Sequence, residues 1–434
     1  ERCSVPQPSS DFDFASVLRD GDHVIWPQGT GEPCGLSSTL IAAAPGLPAF
    51  TLVVGMIASR TLAGVQAGNP GFLCLNGAGG ARKGVALSKG RVIPAHISAI
   101  PGLIDTGRVP VDVALIRVRP TEDPGVLSLG VMVDFVHEMV TNARVVIAEI
   151  DERMPLTRDD ALIDRSRITH FTVADGPQCQ LADPTPSDVD VAVAQRVAEI
   201  IPDRATIQIG VGGLPVAVCA ALKGHRDLGI HSGVIPDCAV DLIESGVVTN
   251  AYKGSDAGLT VTGGLFGTDR LNRFAHENRS IVLRRATYTH AAATLAGLHR
   301  FHTVNSAIEI DLTGQINAEI AGGRYVGAVG GQVDYVRAGR QSEGGRSIIA
   351  MASTTPDGKH SKIVAELGDR PVTTARSDVD LVVTEYGVAD LWGLDLRARS
   401  KALIGIAHPD FRDRLTRSLA ERPQPKTLVQ GASR

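Results

Sequence analysis

The chain has 434 residues, 43% of them hydrophobic and only 4% aromatic, and carries a formal net charge of -4. Length and apolar content support two ordinary α/β domains with full cores. No run of Lys and Arg interrupts the sequence, which excludes a nucleic-acid groove or a polybasic membrane surface as the main task, since both need concentrated positive charge.

The N-terminal stretch "ERCSVPQPSS" lacks an apolar core of signal-peptide length and an initiator Met. Strand-like runs follow, "DHVIW", "TLVVGMI", "VDVALIRV" and "ARVVIAEI", alternating with helical segments in the pattern of parallel βαβ units. Leu40 to Ala58 carries no charge, but Pro45, Gly46 and Pro48 break it into a helix end, a turn and a strand, so no membrane span is predicted. Between Ile168 and Ser187 periodicity is lost and Pro, Gly and Asp accumulate, the composition of an exposed connection. This divides the chain into an N-terminal α/β domain over 1–180 and a C-terminal α/β domain over 187–434.

Ser187 is a predicted N-cap, because its hydroxyl can accept from free amides of the next turn, and Val193, Val197, Ile200 and Ile201 then share one helical face. The second domain continues through the predicted strands "TIQIG", "RSIVL", "AIEIDL", "SIIAMA" and "VDLVVTEYG" to a helix in "LRARSKALIGIA". Six cysteines, Cys3, Cys34, Cys74, Cys179, Cys219 and Cys238, are scattered without CxxC or His/Cys clustering. That pattern argues against a zinc ribbon and a disulfide framework, and fits reduced cytosol. No histidine has metal-ligand spacing, so no metal is expected.

Three glycine-rich turns stand out. In "TIQIGVGGLPVAVCAALKG" a strand meets a helix near Leu214, and Gly210, Val211, Gly212 and Gly213 can turn backbone amides toward a phosphate or a thioester carbonyl; tight strand–helix packing is the plain alternative. The second, "YVGAVGGQVDYVRAG", places Gly327, Gly330 and Gly331 ahead of Gln332, with a bulge or a close backbone crossing as its alternative. The third, "NGAGGARKG", reads as a solvated loop. Glu32 in "PQGTGEP" and Glu309 draw notice, Glu309 because a carboxylate amid apolar strand residues is costly unless paired, although it also fits the polar face of a half-buried strand. Cys238 reads as a small buried residue, with a thiolate nucleophile the rarer alternative.

Eight motifs in order, "WPQGTGEP", "VVIAEIDERMP", "IQIGVGGLPVAV", "LGIHSGVIPDCAVDLIESGVV", "VNSAIEIDLTGQINAE", "GAVGGQVDYVRAG", "VVTEYGVADLWG" and "ALIGIAHPDFRDRL", resemble the acetyl-CoA hydrolase/transferase family, which includes 4-hydroxybutyrate and butyrate CoA-transferases. The resemblance covers nearly the whole chain and thins over 121–133 and 286–304. It implies two related open α/β domains of the CoA-transferase type with the active site between them, in a cytoplasmic homodimer. It also implies acyl-CoA as substrate, held by Gly210 to Leu214, by Ile308, and by the second glycine turn at Gly330 and Gly331, with Asn305 near the thioester. In the family a glutamate in a "GIHSE" or "GIHTE" motif attacks the thioester and becomes a glutamyl-CoA.

This chain has His231, Ser232 and then Gly233 at that point. Glycine offers no nucleophile. The leading expectation is direct attack of an acceptor, an amine, alcohol, carbanion or water, on the bound acyl-CoA, with the volume vacated at residue 233 admitting that acceptor. His231 is a catalytic candidate by its place in the motif. Strand alternation argues against Glu309 as a replacement nucleophile, whereas a role as base or hydrogen-bond acceptor demands less of its geometry. Two alternatives stand beside this: a non-catalytic CoA-binding subunit, or a conventional CoA-transferase altered at residue 233.

Overall fold

In the computed structural model, residues 7–421 are described, so Cys3 and the start of the N-terminal stretch lie outside the described residues. Six parallel strands form the first sheet, in the spatial order Gly71–Cys74, Thr51–Val54, His23–Ile25, Val113–Pro120, Val145–Ile150 and His170–Val173. Helices and loops cover both faces, so "VALIRV" is apolar almost throughout and its first six residues are all buried. Two short strands, Val126–Ser128 and Leu162–Asp164, extend the sheet antiparallel from Arg119 and Pro120.

The second sheet holds Ile281–Leu283, Thr260–Thr262, Gly229–Ser232, Thr206–Gln208, Phe301–Asn305, Arg346–Ala350 and Leu381–Thr384, all parallel, with Gly387–Asp390 antiparallel at one edge. From Thr206–Gln208 the chain works outward to Ile281–Leu283, then restarts on the other side with Phe301–Asn305. At such a reversal the two crossovers leave on opposite faces, and a crevice opens beyond the carboxyl ends of the two strands. The turn over 209–214 and the segment over 306–308 emerge there.

The predicted strand "AIEIDL" lies outside this sheet. Only Glu309–Asp311 is extended, paired with Ile316–Asn317 and Ile363–Val364 in a small separate sheet. Ser187 does cap the helix Asp188–Ile200: its hydroxyl accepts from the Asp190 amide while the Asp190 carboxylate returns to the Ser187 amide. Such a reciprocal cap contributes about 1 kcal/mol.

One hydrophobic cluster runs through both halves, from Ile25 and Ala114 to Ile207 and Ile230. Backbone bonds cross the seam as well: Val133 N–H to the Gly263 carbonyl at 2.9 Å, Ala286 N–H to that of Asp134 at 2.7 Å, and Ile97 N–H to that of Gly330 at 3.0 Å. The two halves therefore meet along a seam that reaches Gly330 and Ala286. Among the described residues no helix is long and apolar enough to cross a membrane.

Candidate active site

The turn after Thr206–Gln208 leads into the helix Gly213–Ala221, and every residue from Gly210 to Leu214 is half-buried. Gly212 has φ 119°, a conformation that side chains disfavour, so the turn needs glycine there. Pro215 sits in the first helical turn, where its missing N–H does no harm. On the neighbouring strand end, Asn305 Nδ2 donates to Gln208 Oε1 at 3.1 Å. The asparagine and the first glycine turn thus share the switch point of the sheet.

Ile308 and Glu309 line an open cleft of about 1380 Å³ whose charged walls are mixed, Lys359, Lys362, Arg370 and Arg414 alternating with Glu366, Asp369 and Glu421. The Glu309 carboxylate is held by Arg370, Oε1 to Nη1 at 2.7 Å, with Asn317 Nδ2 at 3.4 Å from its other oxygen. Burial lowers the Lys362 ammonium pKa, and the charges of Glu385, Asp190 and Glu309 oppose that shift. Asp190 lies against the first turn, since a Cβ on Gly213 would stand 3.0 Å from its Oδ2. Lys362 thus lies within electrostatic reach of Asp190, beside the glycine turn, and of Glu309, next to Ile308.

The position of greatest interest is Gly233, just past the strand Gly229–Ser232. A Cβ placed there would stand 2.7 Å from His290 Cε1, 2.9 Å from His290 Nε2 and 3.2 Å from Tyr335 Oη. From the opposite side, a Cβ on Gly331 would stand 2.5 Å from the same Nε2. The imidazole is therefore wedged between two glycines that belong to two different motifs. The expectation that residue 233 leaves open volume is corrected: an imidazole and a phenol fill it. Gly331 precedes the helix Gln332–Gln341, and the Tyr335 amide bonds its carbonyl at 3.2 Å, so glycine and tyrosine share one face of the first turn.

His290 follows the short helix Ala286–Thr289. Its Nδ1 lies 2.9 Å from Thr289 Oγ1, and its Nε2 has no hydrogen-bond partner among the described residues. Its ring packs 4.7 Å from that of Tyr335, centroid to centroid. The Thr289 carbonyl accepts from Tyr335 Oη at 3.2 Å and lies 3.2 Å from His231 Nε2. His231 is fully enclosed, so the structure gives it the role of a buried anchor for the segment that carries His290. A salt bridge between Arg285 and Glu138 fastens the same segment to the N-terminal half.

Burial, with a smaller contribution from His231, pushes the His290 pKa down to about 3; burial and Lys253 do the same to His231, also to about 3. Both rings are neutral near pH 7. Burial raises the Tyr335 phenol well above its ordinary range, and the nearby charge of Asp134 adds to this. Asp134 itself is pushed up to about 7 by burial and by Glu138, against a hydrogen bond from Gln28. The "WPQGTGEP" motif thus reaches the crevice through Gln28.

Neither His290 nor Tyr335 carried a signal in the sequence. Gly327 makes the close crossing foreseen as the plain alternative for its turn, because a Cβ there would stand 2.0 Å from the Ala318 carbonyl oxygen. Glu32 is fully buried, with one carboxylate oxygen accepting from Ser37 Oγ at 2.7 Å and the other unpartnered. It lies with Cys34 and Cys179 in a group whose donor atoms are within 4.8 Å of one another, a proximity that linear spacing could not reveal. Cys238 is buried and its thiol pKa is raised by contact with Cys219 and by burial, which suits packing rather than nucleophilic attack.

An open α/β architecture with a glycine turn and Asn305 at the switch point of its second sheet defines an enzyme of the CoA-transferase type. Residues 79–194 match the acetyl-CoA hydrolase/transferase N-terminal domain, and residues 267–419 match the C-terminal domain. The 4-hydroxybutyrate coenzyme A transferase of Clostridium kluyveri is 35% identical over 94% of this chain and 96% of its own. The structure of RipA from Yersinia pestis superposes with TM-score 0.87 at 30% identity, covering 94% of this chain and 95% of that one. A 4-hydroxybutyrate CoA-transferase from Porphyromonas gingivalis gives TM-score 0.79 at 31% identity over 96% and 97%. The chain belongs to the acetyl-CoA hydrolase/transferase family, and it is an acyl-CoA transferase or hydrolase in the broad sense.

Proposed function

We propose that this enzyme passes the acyl group of a bound acyl-CoA directly to an acceptor, without an enzyme-bound glutamyl-CoA. One observation carries this reading. The family resemblance would put the attacking carboxylate at residue 233, which is Gly here, and the space a side chain would need there is taken by His290 and Tyr335. Covalent catalysis requires a nucleophile in near contact with the thioester carbon, and glycine supplies none.

The parts for thioester binding remain. Gly210 to Leu214, Ile308, Gly330 and Gly331 would seat the acyl-CoA, with Asn305 beside the thioester and Lys359, Lys362, Arg370 and Arg414 in reach of its anionic groups. Backbone amides at the glycine turns would stabilise the oxyanion, a contribution independent of the missing carboxylate. Glu309, paired with Arg370, fits a part in holding that arginine in the cleft better than a part in proton transfer. The working assembly proposed is a cytoplasmic homodimer, testable by gel filtration and by fractionation of the source cells.

Initial-rate kinetics with acyl-CoA and acceptor both varied test the reading. Intersecting lines, the mark of a ternary complex, are expected; parallel lines with a borohydride-sensitive enzyme would refute it.

A further inference from the structure

The geometry points to His290 as the general base of this enzyme. Its Nε2 takes the proton of an O–H or N–H acceptor as that atom attacks the thioester carbon. The C–S bond then breaks, and the same proton passes from Nε2 to the departing CoA sulfur. Acyl-CoA and H–acceptor become acylated acceptor and CoA thiol, with no other reactant needed. This inference rests on the direct-transfer reading.

Three observations support it. First, place: Nε2 lies between Gly233, where the family's carboxylate would begin, and Gly331, which the family resemblance assigns to acyl-CoA. Second, protonation: Thr289 Oγ1 donates to the Arg285 carbonyl at 3.4 Å, so it accepts from His290 Nδ1–H at 2.9 Å. Assigned from that pattern, the tautomer leaves the Nε2 lone pair free. Third, fixity: the ring is held by Thr289, by Tyr335 and by the two glycines, which preorganises it.

Burial leaves Nε2 unprotonated at rest and by the same effect makes it a weak base in the resting site. The imidazolium arises only opposite the negative charge of the tetrahedral intermediate, which stabilises it. A preformed carbanion would need no such base, so the acceptors implied are water, an alcohol or an amine.

The test uses the full chain and the variants His290→Gln and His290→Ala, with acetyl-, butyryl- and 4-hydroxybutyryl-CoA as probes and free-thiol release as readout, in water and with added hydroxylamine. Calorimetry with CoA reports binding separately. Both variants are expected to bind CoA within about threefold of the parent and to release thiol on the order of 100-fold or more slower, the usual share of general-base catalysis. Free imidazole is expected to restore part of the rate to His290→Ala, where it has room, and none to His290→Gln. Near-parental turnover in His290→Gln, failure of imidazole to rescue His290→Ala, or loss of CoA binding in both would overturn the inference alone. A parent that releases no thiol from any probe would sink the direct-transfer reading and this inference with it.

Discussion

Placing a carboxylate where the family resemblance expects one, by Gly233→Glu, is the natural experiment, and the structure gives it a specific outcome. The new Cβ would stand 2.7 Å from His290 Cε1 and 2.9 Å from Nε2, about 0.8 Å inside an ordinary carbon–carbon contact. The ring cannot retreat easily. Thr289 holds its Nδ1 and Gly331 closes the other side, where a Cβ would also clash at 2.5 Å. Overpacking of this kind costs about 1–3 kcal/mol, and burying the carboxyl group as its neutral acid adds a similar amount, about 1–3 kcal/mol. Taken together, about 2–6 kcal/mol, the single variant should lose roughly 2–7 °C in Tm, at about 1 °C per kcal/mol for a chain of 434 residues. Removing the imidazole at the same time, in Gly233→Glu/His290→Ala, should recover most of that loss and free the carboxylate. The assay is thermal unfolding followed by acetate-dependent CoA transfer from butyryl-CoA. Transfer activity is expected in the double variant and absent from the single one. A single variant with unchanged Tm and full transfer activity would refute the claim that His290 occupies the carboxylate's place.

Further outcomes follow from the same geometry. His290→Asn should lose its stability disadvantage as pH falls: in the parent the buried ring, held near pKa 3, resists a proton that the unfolded chain accepts near 6.5, so stability is retained above 6.5 and lost on acidification. His231, Asp134 and Lys253 titrate in both proteins, and chemical denaturation at pH 7 and pH 5 should show the parent losing about 2 kcal/mol more than the variant; an equal loss would contradict a buried neutral His290. Gly331→Ala places a methyl group 2.5 Å from Nε2 and should reduce thiol release about tenfold or more, measured at saturating acyl-CoA; unchanged turnover would mean that Nε2 does not border the reacting atoms. Glu309→Gln breaks a half-exposed ion pair with Arg370, worth about 1 kcal/mol or less, so turnover should stay within about threefold. A 100-fold loss there would return Glu309 to the role of base.

Much of the fold was legible. "VDVALIRV" and "ARVVIAEI" are β-branched runs bounded by breakers, and both became central parallel strands. Ser187 announced its helix because a cap is a local interaction among four residues. The strand Phe301–Asn305 was not read, since His302 and Thr303 look polar in sequence and are buried only through pairing on both sides. The site divided along the same line. Glycines required by a turn, such as Gly212, declare themselves locally, and Gly233 drew attention only through the family resemblance. What fills the gap was not, because His290 meets Gly233 and Gly331 only after the sheet brings three remote segments together. A glycine in place of a large side chain signals that something else occupies the volume, and the sequence alone does not say which residue.

The central claim, that acyl transfer proceeds without a covalent enzyme intermediate, is met most directly by intact-mass and peptide analysis of enzyme quenched in acid during steady turnover of acyl-CoA. Direct transfer requires the polypeptide mass to remain that of the unmodified chain at every time point. A population bearing an acyl or CoA group on any side chain, formed and consumed at the rate of turnover, would contradict it.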